Sequence, residues 1–254
     1  MNTVPFIKMH GLGNDYVYID CFRPHTAELI AQTDLSALAR RVSDRHLGIG
    51  SDGLVLIMPS TCADVRMRMF NADGSEAEMC GNAARCIAKY AYEQGLCGQT
   101  MTLETLVGIK NISMRTNAND DVEQVTVEMG TTLGNPHQVF FVDTPTALNP
   151  RFKQLCTAPE YAALRKNANI ECVYIINRTE LQMRVCERGT GETMACGTGA
   201  CASAIEAMNK GLTDNQVTVH LRGGDLSVRR DENGIIYLTG PATEVFRGEY
   251  EWEN

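Results

Sequence analysis

Two cysteines sit in settings that invite chemistry. Cys80 lies in MCGNAAR (79–85) and Cys196 in MACGTGA (194–200); each is followed by glycine and then by small residues. A thiol at the start of a helix faces backbone N–H groups that have no partner inside the helix and carry partial positive charge. Such a position lowers a thiol's pKa from about 8.5 toward neutrality and stabilises the thiolate. The amides of Gly81-Asn82 and Gly197-Thr198 can also hold a carboxylate at close range. One thiolate and one thiol on opposite faces of a carbon can remove a proton from one side and return it to the other, which inverts a stereocentre. Two helix starts would stabilise the negative charge that builds on a carboxylate during deprotonation. No electron-sink cofactor is required, and water must be kept out.

The elements that position these cysteines repeat. Offsetting the chain by 116 residues aligns Cys80-Gly81 with Cys196-Gly197 without a gap. Met67, Arg68, Glu76, Ala84, Ala88, Ala91, Gly95-Leu96 and Gly108 then meet Met183, Arg184, Glu192, Ala200, Ala204, Ala207, Gly211-Leu212 and Gly224. With small shifts Leu12-Gly13-Asn14 recurs as Leu133-Gly134-Asn135, and Met129-Gly130 lies opposite Thr239-Gly240. An internal duplication follows, with a period far too long for a solenoid. In each copy an alternating strand (VRMRMF 65–70; LQMRVC 181–186) leads through a polar turn to the cysteine and a small-residue helix stopped by glycine. TLETLVGIKNISM, QVTVEMG, QVTVHL, DLSVRR and IIYLTG read as strands of mixed or antiparallel sheet. The expected fold is α+β: two pseudo-symmetric domains, each a sheet wrapped around a central helix, with the active site in the interdomain cleft. The first half is expected at 1–131, the second at 132–245, and residues from about 246 to 254 are expected to join the first half as a strand.

Bulk composition narrows the function. The 254 residues are 44% hydrophobic and 21% charged, with a net charge of −8, which fits a soluble protein and not a nucleic-acid surface. No apolar run is long enough to span a bilayer, and the N-terminus lacks the apolar core of a secretory signal. A cytoplasmic location with reduced thiols is therefore expected. No C-x-x-C occurs, and His10, His25, His46, His137 and His220 are far apart, so neither a zinc site nor a dithiol redox centre is expected. Cys86, Cys97 and Cys172 read as small apolar packing residues. His25 and His220 read as exposed polar residues, and His10 as structural support.

The blocks MHGLGNDYVYID, FNADGSEAEMCGNAARC, GNPH (134–137) and ERGTGETMACGTGACA keep their order over most of the chain. Together they resemble the diaminopimelate epimerase family, amino-acid racemases that need no pyridoxal phosphate. The resemblance implies interconversion of LL- and meso-diaminopimelate for lysine and peptidoglycan synthesis, with no cofactor and no metal. Cys80 and Cys196 then match the acid–base pair, Cys80 as proton donor and Cys196 as acceptor in the LL-to-meso direction. Gly81, Asn82, Gly197 and Thr198 match the groups holding the reacting carboxylate. Asn14 lines the site, and Asn71, Asn135, Asn169, Glu187 and Arg188 match the groups that bind the substrate, chiefly its distal end. His137 and Glu187 are expected to tune the thiols. The residue types agree: a guanidinium suits a second carboxylate, a carboxylate a second ammonium, and neutral amides either. Asparagines in NADGS and GNPH can equally serve the backbone of their turns, and Glu187-Arg188 can be a surface ion pair.

Three departures stand out. EMG (128–130) runs almost directly into TTLGNPH, where family members carry a substantial segment, so the second half is expected to lack part of its edge. Gly53 stands where some members place a glutamine, and Gln138 where cysteine is frequent. The shortened connection leaves room for a related racemase of lysine or histidine. A non-catalytic amino-acid-binding protein is a further alternative, disfavoured by the retention of both thiols. The expected partner is a small amino-acid substrate, with no nucleic acid and no membrane; the sequence leaves homodimerisation open.

Overall fold

The computed structural model describes residues 2–252. The chain forms two compact units: one holds the residues up to Val127 together with those from Pro241 onward, the other is Glu128–Gly240. Each is a mixed sheet with one central helix, the α+β arrangement expected from the repeat.

In the first unit the strand order is β16-β1-β2-β3-β4-β6-β7-β8. These strands are β1 (Asn2–Gly11), β2 (Asn14–Asp20), β3 (Gly53–Met58), β4 (Val65–Asn71), β6 (Thr100–Thr105), β7 (Gly108–Thr116), β8 (Val122–Gly130) and β16 (Thr243–Trp252), with the short β5 (Glu76–Ala77) beside β4. Helices α1 (Pro24–Ala31) and α2 (Leu35–Ser43) connect β2 to β3, which run parallel. The central helix α3 (Gly81–Glu93) buries nearly every residue from Gly81 to Ala91. Its alanines let the backbone approach the sheet closely, which a larger side chain would prevent.

The second unit runs β15-β14-β13-β11-β10-β9. Its strands are β9 (His137–Val142), β10 (Asn169–Asn177), β11 (Glu180–Glu187), β13 (Gln216–Leu221), β14 (Gly224–Arg230) and β15 (Ile236–Gly240), with the short β12 (Gly191–Glu192) beside β11. Helices α4 (Pro145–Thr157) and α5 (Ala162–Asn167) link the parallel pair β9 and β10. The central helix is α6 (Gly197–Asn209).

The duplication is visible element by element. Both central helices end with a glycine just past the cap, Gly95 and Gly211, each at φ 69°, in the left-handed region that glycine adopts without strain. The aligned Arg–Glu pairs are both formed, Arg68–Glu76 at 2.8 Å and Arg184–Glu192 at 2.7 Å, and each ties a strand to the turn before the cysteine. TLETLVGIKNISM is two strands, because the polypeptide turns at Leu106-Val107 between β6 and β7. At the other end the copies differ. β1 and then β16 extend the sheet beyond β2, whereas among the described residues β9 is the edge of its sheet.

Candidate functional site

Cys80 is the N-cap of α3 and Cys196 the N-cap of α6; both have extended backbones (φ −133° and −128°). In each unit a short strand and its turn deliver the chain to that position, as the sequence pattern required.

In the first unit the structure brings Asn14, Cys80 and Asn82 together. The Cys80 thiol donates to Asn14 Oδ1 at 3.5 Å, and Asn82 Nδ2 donates to the same oxygen at 3.1 Å. Asn14 Nδ2 donates to Asp52 Oδ2 at 2.7 Å, so a carboxylate fixes which end of the amide faces the thiol. Asp52 is itself held by Arg45 at 2.9 Å, and Arg45 also grips Asp15 at 2.7 Å. Asn82 is fixed from its other end, since Arg85 Nη2 donates to Asn82 Oδ1 at 2.6 Å. Arg85 is fully buried and also reaches the carbonyls of Gly81 and Pro241, at 3.2 and 3.1 Å. The Tyr16 hydroxyl donates to Cys80 Sγ at 3.9 Å. Gly53 lies beside that ring: a Cβ there would stand 2.1 Å from the Phe70 carbonyl oxygen and 3.1 Å from the Tyr16 ring. A glutamine at this position would therefore displace β4. Asn71 stands apart from this cluster; it is exposed, and its Nδ2 donates to Ser75 Oγ at 2.9 Å within the NADGS turn.

In the second unit Cys196 faces donors. The Gly199 N–H points at its sulfur from 3.4 Å, the Thr198 hydroxyl lies at 3.5 Å and Asn169 Nδ2 at 4.0 Å. Asn169 is buried, and its Oδ1 accepts the Arg188 N–H at 2.9 Å, which ties the ERG turn to β10. Glu187 accepts from the Thr193 hydroxyl at 2.5 Å. Burial pushes the Cys196 thiol well above its usual pKa and the nearby Glu187 adds to this, while Thr198 and the Gly199 amide pull it back. The helix start thus acts as expected, but burial outweighs it. Asn135 and Arg188 are exposed, just before β9 and just after β11. His137 is buried against Glu171, Nδ1 to Oε1 at 2.7 Å.

Tyr16, Asp52 and Glu171 escaped the sequence reading, as did the supporting Asp15, Arg45, Arg85 and Thr193. The first three arrive by tertiary pairing, not by a local motif. Only the odd presence of glutamate in the apolar run NIECVYII signalled Glu171. Among the remaining residues, Cys86 and Cys172 are buried, Cys97 is half-buried with its sulfur 3.7 Å from Met101 Sδ, and His10 Nδ1 accepts the Gly13 N–H at 3.3 Å. His25 is exposed; His220 is half-buried and paired with Asp225 at 2.8 Å.

The sequence profile of the family described as Diaminopimelate epimerase matches residues 6–133 and again 131–245. The protein of that name from Acetivibrio thermocellus is 43% identical, with 97% of this chain and 98% of the relative aligned. The chain belongs to the diaminopimelate epimerase family. It is accordingly an isomerase. The namesake from Methanococcus maripaludis is 41% identical over 97% of this chain and 99% of its own length. The alignment with the Acetivibrio relative spans 282 positions, more than the 254 residues here, so this family member is the shorter of the two. In fold it is similar to a phenazine biosynthesis protein of the PhzF family from Bacillus anthracis, with a TM-score of 0.74 at 18% identity over 99% of this chain and all of that one. Among the described residues no group of three or more His, Cys, Asp or Glu side chains could hold a metal, and no helix is long and apolar enough to cross a membrane.

Proposed function

We propose that this enzyme epimerises diaminopimelate by moving a proton between Cys196 and Cys80. The observation that carries the reading is the pair of cysteines at helix N-cap positions in a duplicated chain, 97% of which aligns with a diaminopimelate epimerase. The polar surroundings of the thiols support unequal roles. Cys196 accepts from the Gly199 N–H and lies against the Thr198 hydroxyl, contacts that offset part of the rise that burial and Glu187 impose on it; the Cys80 thiol donates to Asn14 Oδ1, while the Tyr16 hydroxyl reaches its sulfur. In the LL-to-meso direction Cys196 takes the α-proton and Cys80 supplies one to the opposite face, the roles exchanging in reverse. The first-turn amides Gly81-Asn82 and Gly197-Thr198 hold the reacting carboxylate and stabilise the charge that grows on it. Arg188 receives the distal carboxylate. Glu187 and the asparagines Asn71, Asn135 and Asn169 receive the distal ammonium and carboxylate. The product feeds lysine and peptidoglycan precursor synthesis in the cytoplasm.

The test is incubation of the reduced enzyme in D2O with LL-diaminopimelate, and in parallel with L-lysine and L-histidine, followed by NMR and chiral chromatography. Deuterium at the α-carbon of diaminopimelate with formation of the meso isomer, abolished by Cys80→Ala and by Cys196→Ala, is the expected result. Exchange with L-lysine or L-histidine alone would reassign the substrate.

A further inference from the structure

The second unit buries a His137–Glu171 pair whose carboxylate the acid–base scheme leaves without a task. In-register neighbours on parallel strands share a face, as do residues two apart on one strand. β9 and β10 pair His137 with Asn169, so His137, Asn169 and Glu171 lie on one face of the sheet. Helix α6 packs on both strands. Glu171 is fully buried and the His137 side chain is 4% exposed, yet Glu171 Oε2 and His137 Nε2 have no hydrogen-bond partner. The carboxylate also decides a residue on the helix. A Cβ on Gly199 would stand 2.7 Å from Glu171 Oε1 and 3.3 Å from Cys196 Sγ. Glu171 thus occupies the space beside the first turn of α6, next to the amide that donates to Cys196.

The counterpart positions show that this is not a general need of the fold. β3 and β4 pair Val55 with Met69 as β10 and β11 pair Glu171 with Val185, and the 116-residue offset matches Met69 to Val185. Where the second unit has Glu171 beside Gly199, the counterpart positions of the first unit hold Val55 and Ala83, both fully buried. An apolar pair therefore suffices to seat such a helix. A buried carboxylate there carries a desolvation cost that packing alone does not explain.

We propose that Glu171 is the positioning residue of the Cys196 half, holding the His137 ring through Nδ1 in one tautomer so that Nε2 is kept as a proton acceptor. The inference rests on the two-thiol reading above for its role in turnover, but not for its chemistry. With Glu171 ionised, His137 Nδ1–H donates to it and the lone pair must sit on Nε2. No covalent bond forms or breaks. The groups that face Cys196 are then Glu187 from β11, Glu171 from β10 and the Thr198 hydroxyl and Gly199 amide of its own helix. Both carboxylates oppose a thiolate, and pairing with His137 moderates the share of Glu171.

Two measurements test this on the intact protein. In the wild type, nitrogen-15 NMR of the histidine rings at pH 7 should show His137 protonated at Nδ1 with an unprotonated Nε2; a ring carrying its proton at Nε2 overturns the proposal. In Glu171→Gln the neutral amide can donate to Nδ1, and the Nε2–H tautomer should appear. The pH dependence of iodoacetamide alkylation, followed by peptide mass spectrometry, should move to lower pH at Cys196 and stay fixed at Cys80. Curves unchanged at both cysteines, or moved equally at both, overturn it. Turnover of Glu171→Gln should fall at least about tenfold with little change in KM, and Glu171→Asp should restore part of it. An alkylation shift at Cys196 in a protein whose wild type does not exchange diaminopimelate would sink the proposed substrate and leave the role of Glu171 standing.

Discussion

The two halves of this chain hold a cysteine in the same place on the same element, and then support it by opposite means. Around Cys80 the fixed charges stand to the side: Arg45 and Asp52 act through the Asn14 amide, and Arg85 acts through Asn82. The positions matching Glu171 and Gly199 are here the buried, apolar Val55 on β3 and Ala83 on the helix. Around Cys196 the charge is underneath. Glu171 takes the place of Val55, Gly199 the place of Ala83, and Cys201 stands where the first helix has Arg85. The parallel registers also match His137 with Tyr16, since β2 pairs Val17 with Leu54 and β9 pairs His137 with Asn169. A duplication thus kept the frame that presents a thiol and diverged in what touches it. That is the pattern expected where two like groups must do unlike things, one releasing a proton while the other accepts it.

The most severe way to break the comparison is to remove either sulfur. Cys80→Ala and Cys196→Ala should each lower turnover by about 10³-fold or more, and the double variant should be little worse than either single. Near-additive losses in the steady-state rates would mean that the thiols do not act in one step. Next, Asp52→Ala should release the Asn14 amide to rotate and lower kcat about tenfold while KM stays within about twofold. An unchanged kcat would show that Asn82 alone orients Asn14.

The packing difference predicts smaller effects, on stability. Gly199→Ala places a methyl against the Glu171 carboxylate and should cost about 1–3 kcal/mol in denaturant unfolding. Glu171→Val in the same chain should recover much of it, a coupling that a double-mutant cycle reads directly. The converse change, Ala83→Gly, should cost only about 0.5–1 kcal/mol from backbone freedom. Additive losses at Gly199 and Glu171 would refute the contact.

The subtlest contrast is with pH. Burial pushes the Asp15 carboxyl up, but Arg45 and Lys8 more than offset this and hold it below its ordinary pKa. Its stabilising contribution is complete above the unfolded value of about 3.9 and is lost as pH falls through the lower folded value. Burial dominates at Glu171 and leaves it raised despite His137. Its contribution is complete below about 4.3 and is lost as pH rises through the folded value. Acidification from about pH 6 to pH 3 should therefore first raise hydrogen-exchange protection in β9 and β10 and then lower it in β1 and β2. Parallel loss in both units would contradict the assignment.

What the sequence disclosed and what it hid divide along a physical line. The N-capping cysteines, the glycine stops at Gly95 and Gly211 and the strands β4 and β11 were legible because capping, φ and alternation are properties of neighbouring residues. The repeat supplied the two-fold division. Tyr16, Asp52 and Glu171 were not legible, because β2 and β9 reach β3 and β10 through parallel pairings that span two helices each. Glu171 sits in an apolar run and looks like an interruption until the strand beside it supplies a histidine. Asn71 matched the family motif, and its observed bond is to the turn that the same motif encodes.

One feature of the sheet bears on how the chain is made. The first unit includes β16, which pairs along β1 from Asn2↔Trp252 to His10↔Thr243 and is translated after all of the second unit. On the ribosome β1 must therefore wait with one side unpaired while residues 128–240 emerge and condense. An unpaired strand of this length is a template for intermolecular pairing. Synthesis that stalls before Pro241 would leave a folded second unit attached to an adhesive first one, so premature termination here should yield aggregates more readily than a smaller enzyme.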